Sequence, residues 1–244
     1  MLAGRYPLLV ISHGSGGHRF NQHYLAEFLA QHEFIVLAIQ HPYNNTEDDS
    51  QVGTLQNLWH RPKDVSFIIN AILKDTNFSA FIDSTKIGVI GHSLGGFTGF
   101  ILAGALPNPS LLLKKTGYRC SSFMDFDSHV DLRIKAYFLM APALCDVFEE
   151  DSLMQLEAKM CLLFSSKDEL VQYTKKAPFY SRLKNLVSCI EFPEAGHYVY
   201  LMECPDAIKT KNDPACFDIG TPREKIHPIL RREILSFFEK LMKN

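Results

Sequence analysis

Lys86-Ile87-Gly88-Val89-Ile90-Gly91-His92-Ser93-Leu94-Gly95-Gly96-Phe97 is the stretch on which the reading of this chain turns. Residues 86–90 form an apolar run of strand length. Gly91-His92-Ser93-Leu94-Gly95 matches G-x-S-x-G, and residues 94–105 continue as a helix of small and apolar residues. Strand, tight turn and helix follow one another without a spacer. A turn this sharp excludes bulky side chains at its flanks, hence the glycines. It also lifts the Ser93 hydroxyl above the end of the strand, where the helix N-terminus favours developing negative charge.

The same alternation extends in both directions. Apolar runs at 8–12, 34–39, 134–140, 159–165 and 186–192 read as strands. Segments of helical period at 21–31, 149–157, 172–183 and 228–241 read as helices. Pro62 opens another, in which Val65, Ile68, Ile69 and Ile72 recur at helical spacing. Short apolar strands alternating with helices predict an α/β fold, a mostly parallel sheet covered on both faces. Residues 41–60, 106–133 and 203–223 read as irregular. The last two are expected to be insertions near the site of a single domain spanning 1–244.

The chain has 244 residues, 46% hydrophobic and 21% charged, with a formal net charge of −2. That composition excludes disorder and collagen-like structure. A near-neutral balance argues against nucleic acid as partner. No apolar run reaches the roughly 18 residues of a membrane helix, so no stable membrane insertion is expected. Residues 1–11 lack the layout of a signal peptide, and the chain as given reads as cytoplasmic. A trimmed N-terminus leaves a periplasmic or secreted location open.

A serine hydroxyl needs a base, and histidine is the usual one. Of the histidines that follow both Ser93 and a plausible acid, His197 sits in Glu194-Ala195-Gly196-His197, just beyond the strand at 186–192. His227 precedes Pro228 and reads as a cap or surface residue. Asp168 follows the strand at 159–165 after a short turn and is the expected orienting acid, with Asp146 its rival. An oxyanion needs two preorganised donors. Leu94 N–H, next after the serine, is one. Ser15 N–H, in His13-Gly14-Ser15-Gly16-Gly17, is the other, with Gly14 and Gly16 as alternatives. As a nucleotide loop this segment fails, since Arg19 occupies the third glycine position of G-x-G-x-x-G.

These residues resemble the α/β-hydrolase superfamily over essentially the whole chain. The narrower likeness is to its dienelactone hydrolase-like and platelet-activating-factor acetylhydrolase-like group. It rests on Ser12-His13-Gly14-Ser15-Gly16-Gly17, Arg61-Pro62-Lys63-Asp64-Val65, Gly88 to Gly96, Met140-Ala141-Pro142-Ala143 and Ala195-Gly196-His197, with the closing region of Cys204, Cys216 and His227. The resemblance implies a serine hydrolase acting on small-molecule esters, with no cofactor or metal. It also implies that the antiparallel N-terminal strands of the full fold are missing. Dienelactone hydrolases use a cysteine nucleophile, whereas position 93 is serine. The acetylhydrolase branch carries its acid after the preceding strand, where this chain reads Leu139-Met140-Ala141, which favours Asp168.

Short-chain carboxylic esters are the expected substrates. Peptide or amide hydrolysis by the same residues is the alternative, and a non-catalytic binding protein of the same fold is a third. Tyr43, Trp59, Phe97 and Tyr198 lie beside the site loops, and two of the four are expected to line an acyl pocket. Arg61 and Asp64 are expected to make an ion pair or cap at a helix start. Cys145, Cys161 and Cys189 read as reduced core thiols, while Cys204 and Cys216 flank a polar loop across which a disulfide is possible. Oligomeric state is not legible.

Overall fold

The structure, a computed structural model, describes residues 4–117, 129–171, 180, 183–209 and 213–243. Six strands form one sheet: β1 (Tyr6–Ser12), β2 (Ile35–Ala38), β3 (Ile82–His92), β4 (Ile134–Met140), β5 (Lys159–Ser165) and β6 (Leu186–Phe192). Their spatial order is β2-β1-β3-β4-β5-β6 and every pairing is parallel. The helices of five residues or more among the described residues are α1 (His23–Gln31), α2 (Leu55–Lys74), α3 (Leu94–Ala103), α4 (Pro109–Thr116), α5 (Glu150–Met154) and α6 (Arg223–Met242).

Alternation along each strand splits the core in two. Leu8, Val10, Val89, Tyr137, Leu139 and Leu162 face α2 and α3. Leu9, Ile11, Ile90, Phe138, Met140 and Leu163 face α1 and α6. The second layer joins the two ends of the chain. Tyr24 of α1 stacks on His227 of α6 at 3.8 Å, and Lys243 donates to the His32 carbonyl at 2.8 Å. His227 is thus a buried residue inside the helix, its Nε2 donating to Val199 O at 3.0 Å, rather than a cap or surface residue.

Register brings three strand ends to one edge. Ser12 of β1 pairs with Gly91 of β3, and His92 pairs with Met140 of β4. Parallel strands place all their carboxyl ends on the same side, so the loops that follow them share a neighbourhood.

Two expectations change. The second helix begins at Leu55, not Pro62. Thr54 caps it by accepting from Asn57 N at 3.2 Å, and Leu55 and Leu58 are buried. Burial and a cap carry the helix through the proline, so residues 55–60 of the expected 41–60 loop are helical and Arg61 lies in the helix interior. Within 106–133, α4 forms between the Asn108 cap and the left-handed Gly117, while 118–128 lie outside the described residues. So does most of the expected helix at 172–183. Among the described residues, no helix is long and apolar enough to cross a membrane.

Candidate active site

The turn between β3 and α3 is built to the tolerance the sequence implies. A side chain at Gly91 would collide with the Gly95 carbonyl, and one at Gly95 with the Ser12 carbonyl. Between them Ser93 adopts φ 53°, ψ −114°, an unfavourable conformation for a residue with a side chain. Surrounding bonds impose it. Ser93 N donates to Met140 O at 2.9 Å, and Ser93 O accepts from Gly96 N, Phe97 N and Ala143 N. Leu94 N–H opens the first turn of α3, where amides have no intrahelical partner.

Facing this turn is the loop after β1. Gly17 N donates to Gly14 O at 3.2 Å, which folds Gly14–Gly17 into a turn with Gly16 at φ +64°. Gly14 packs directly on the serine: a Cβ there would lie 3.3 Å from Ser93 Cβ. The Gly16 amide is engaged by Asn44 Oδ1 at 3.2 Å. That removes one of the alternatives to Ser15 as an inward donor.

His197 is 1% exposed and sits in a short turn of 3-10 helix after β6. Its Nδ1 lies 2.7 Å from Asp168 Oδ2. Asp168 Oδ1 accepts from Leu170 N at 2.9 Å and Val171 N at 2.5 Å. An ionised carboxylate only accepts, so Nδ1 carries the proton and Nε2 is left basic. The backbone of His197 is pinned as well. Its N–H donates to Glu169 Oε2 at 3.0 Å, and its carbonyl accepts from His92 Nε2 at 3.2 Å. Burial, with His197 adding to it, pushes the His92 pKa well below the ordinary value, so that ring stays neutral. Neither Glu169 nor His92 was expected in a positioning role. The rival residues go elsewhere: Asp146 pairs with Lys115, and His227 with Val199 O.

Ser93 and His197 line one cavity of about 440 Å³. Gly14, Ser15 and Gly16 line it too, with Tyr198, Leu170, Leu201, Met202, Cys204 and Pro205. Of the four aromatic pocket residues expected, Tyr198 is there. Phe97 is fully buried against Phe148, because α3 is enclosed on every side. Trp59 packs among His60, His129 and Lys63, and Tyr43 is half exposed. Neither is among the described lining residues. Of the two expected insertions, 203–223 does reach the site, contributing Cys204, Pro205, Asp213 and Ala215. A disulfide joins Cys204 to Cys216, with Cα atoms 5.4 Å apart. Arg223 braces the same segment, donating to Met202 O at 2.6 Å, Ala215 O at 2.7 Å and Asp218 Oδ1 at 2.8 Å.

The expected direct Arg61–Asp64 pair is replaced by a longer chain. Asp64 Oδ2 contacts His41 Nδ1 at 2.9 Å, and His41 Nε2 contacts Ser12 Oγ at 2.8 Å. Arg61 is fully buried and donates to Ser12 Oγ at 3.4 Å and to His13 O. Burial lowers the Arg61 pKa to about 9 and raises that of Asp64 to about 6, the attraction of each for the other opposing the shift. Burial, then Arg61, lowers His13 to about 3.

No family model matches the chain, and no curated protein matches it in sequence. Solved structures do match. A ferulic acid esterase from Streptomyces cinnamoneus superposes with a TM-score of 0.65 at 20% identity, over 98% of this chain and 68% of that one. A dienelactone hydrolase from Anabaena variabilis superposes with a TM-score of 0.55 at 16% identity, over 86% and 84%. With the parallel sheet and its covering helices, these likenesses show that the chain has the α/β-hydrolase fold.

Proposed function

We propose that the protein is a serine hydrolase that cleaves small carboxylic esters through an acyl-enzyme. One observation carries the reading: a serine on a strained strand-to-helix turn shares a cavity with a histidine whose far nitrogen is held by a buried carboxylate. His197 Nε2 takes the Ser93 hydroxyl proton as Oγ bonds to the ester carbonyl carbon. The oxygen becomes an oxyanion, received by the Leu94 and Ser15 amides. Collapse breaks the bond to the alkoxy group, which leaves with the proton from His197. Water then repeats the sequence on the acyl-enzyme and releases the acid. Asp168 holds the tautomer and balances the imidazolium charge.

The volume of about 440 Å³ favours a small acyl group. The neighbours named as a ferulic acid esterase and a dienelactone hydrolase support ester chemistry, and serine at 93 favours an oxygen nucleophile. The Cys204–Cys216 disulfide favours an oxidising compartment over the cytoplasmic expectation.

The test is hydrolysis of p-nitrophenyl acetate, butyrate and octanoate, and of the matching p-nitroanilides, by wild type and Ser93→Ala, read with fluorophosphonate labelling. Turnover and labelling that are both lost in Ser93→Ala support the proposal, with the short esters preferred. Labelling with turnover of amides alone moves it to the amide-hydrolase alternative. Neither labelling nor turnover from folded protein overturns it in favour of a binding protein.

A further inference from the structure

Arg61 stands where its charge should not be. It is wholly buried, it has no direct carboxylate partner among the described residues, and it is not one of the residues that line the cavity. Burying a cation this way is costly, and an apolar residue of similar size would serve stability as well or better. Its contacts explain what it does instead. The flat guanidinium fork reaches three separate segments. Nε donates to Thr98 Oγ1 at 3.3 Å on α3, the helix that carries the serine. Nη1 donates to Asn44 Oδ1 at 2.6 Å, and Nη2 to the His13 carbonyl and Ser12 Oγ.

Asn44 passes this order on. A guanidinium has only donors, so the amide oxygen of Asn44 must face it. The same oxygen then accepts from Gly16 N at 3.2 Å, and the amide nitrogen is left to donate to Ser15 Oγ at 3.4 Å. Ser12, the last residue of β1, is held from its other side by His41, which Asp64 holds in turn. The loop from Ser12 to Gly16 is therefore clamped at Ser12, His13, Ser15 and Gly16, and the clamp is tied to the helix behind the serine.

Resting on the serine-hydrolase reading above, we propose that Arg61 and Asn44 are positioning residues that hold the Ser15 amide at the place where the oxyanion forms. They touch no substrate. They set the distance between the loop after β1 and the first turn of α3. Lysine in place of Arg61 keeps the charge but cannot hold three directions at once. Alanine in place of Asn44 leaves Arg61 buried but frees Ser15 and Gly16.

The test uses Arg61→Lys and Asn44→Ala, with Phe67→Ser, an exposed position on α2, as control. Active sites are first counted by fluorophosphonate titration, so that misfolded protein is not scored as slow enzyme. Then kcat and KM are measured on p-nitrophenyl butyrate, and Ki for a trifluoromethyl ketone. That ketone adds Ser93 Oγ reversibly, its proton passing to His197 and its oxygen becoming the oxyanion. The expected result is a kcat per titrated site lower by about 10- to 100-fold with KM within about threefold. Ki should rise by a similar factor, and the control should be unchanged. A merely structural role would lower the titre and leave kcat per site and Ki alone, and that result overturns the proposal. A wild type that neither labels nor turns over fails the serine-hydrolase reading itself, and the positioning role falls with it.

Discussion

Asp168 and His197 meet at 2.7 Å with the carboxylate gripped from behind: Oδ2 faces the imidazole while Oδ1 takes the amides of Leu170 and Val171. The two oxygens therefore have distinct and fixed duties. In Asp168→Asn the amide oxygen is retained by the two backbone donors, so the NH₂ must face His197. That NH₂ donates to Nδ1 and forces the proton to Nε2, the wrong tautomer for a base. A fall in kcat of about 10³- to 10⁴-fold is expected, with little change in melting temperature. Steady-state kinetics and a thermal melt check it; a loss under tenfold would remove Asp168 from the proposed triad.

The two glycines of the elbow give a stability prediction. Alanine at Gly95 sets a methyl against the Ser12 carbonyl, which is backbone in a central strand and cannot swing aside. Overpacking of this kind costs about 3 kcal/mol. Gly95→Ala should melt roughly 5–10 °C below wild type, by calorimetry at neutral pH. An unchanged melt contradicts the tight turn described above.

Acid should weaken the fold through its neutral histidines. Burial depresses His13 to about 3 and His227 to about 4, and holds His41 and His92 well below their ordinary value. A depressed folded pKa means that the unfolded chain binds the proton first. The stability each histidine contributes is complete above about pH 6.5 and is lost as pH falls toward its folded value. Asp64, raised to about 6 by burial, acts in the opposite sense between roughly pH 4 and 6 and offsets part of the loss. His227→Gln keeps a donor for the Val199 carbonyl without a titrating ring. Between pH 4.5 and 6 its stability should depend on pH less steeply than wild type by up to about 1.4 kcal/mol per pH unit. Urea melts at several pH values measure this, and parallel profiles would count against it.

On the proposed function, the disulfide is expected to bear on substrate binding more than on chemistry. Cys204 lines the cavity but lies outside the Ser93–His197–Asp168 contacts, and Arg223 braces the same segment independently. Cys204→Ser with Cys216→Ser should raise KM by roughly threefold to tenfold while kcat stays within about twofold. Kinetics on the double variant, repeated on reduced wild type, test it; a collapse of kcat would mean that the segment reaches the reacting groups.

The residues legible in the sequence are those whose role is local. Gly91 to Gly95 announce a turn by themselves, and Asp168 and His197 each follow a strand that periodicity reveals. All six strands are visible as runs rich in apolar residues, of which β1, β4 and β5 are buried on both faces while the edge strands β2 and β6 are only partly covered. Arg61, Asn44 and His41 were not legible as a unit. Their contacts cross 17 to 49 residues of chain, and nothing local marks them as partners. The start of α2 was misplaced because Pro62 is a stronger local signal than the Thr54 cap. Trp59 and Phe97 were misread because proximity in sequence to a site loop does not say which way a helix turns its side chains.

The pairing of α1 with α6 carries a consequence for how the protein is made. Tyr24, Leu25 and Leu29 are synthesised about two hundred residues before the helix that covers them with His227, Leu230 and Ile234. Until α6 has been synthesised, this apolar face of the nascent sheet is covered by α1 without its second helix. Contacts of such long sequence separation form late and leave greasy surface open to other chains meanwhile. Synthesis of α6 is thus a checkpoint for closing this layer. A polypeptide stalled or clipped before Arg223 would carry the proposed Ser93, Asp168 and His197 in full, lack the layer that closes the second core, and be a substrate for chaperones and proteases rather than an enzyme.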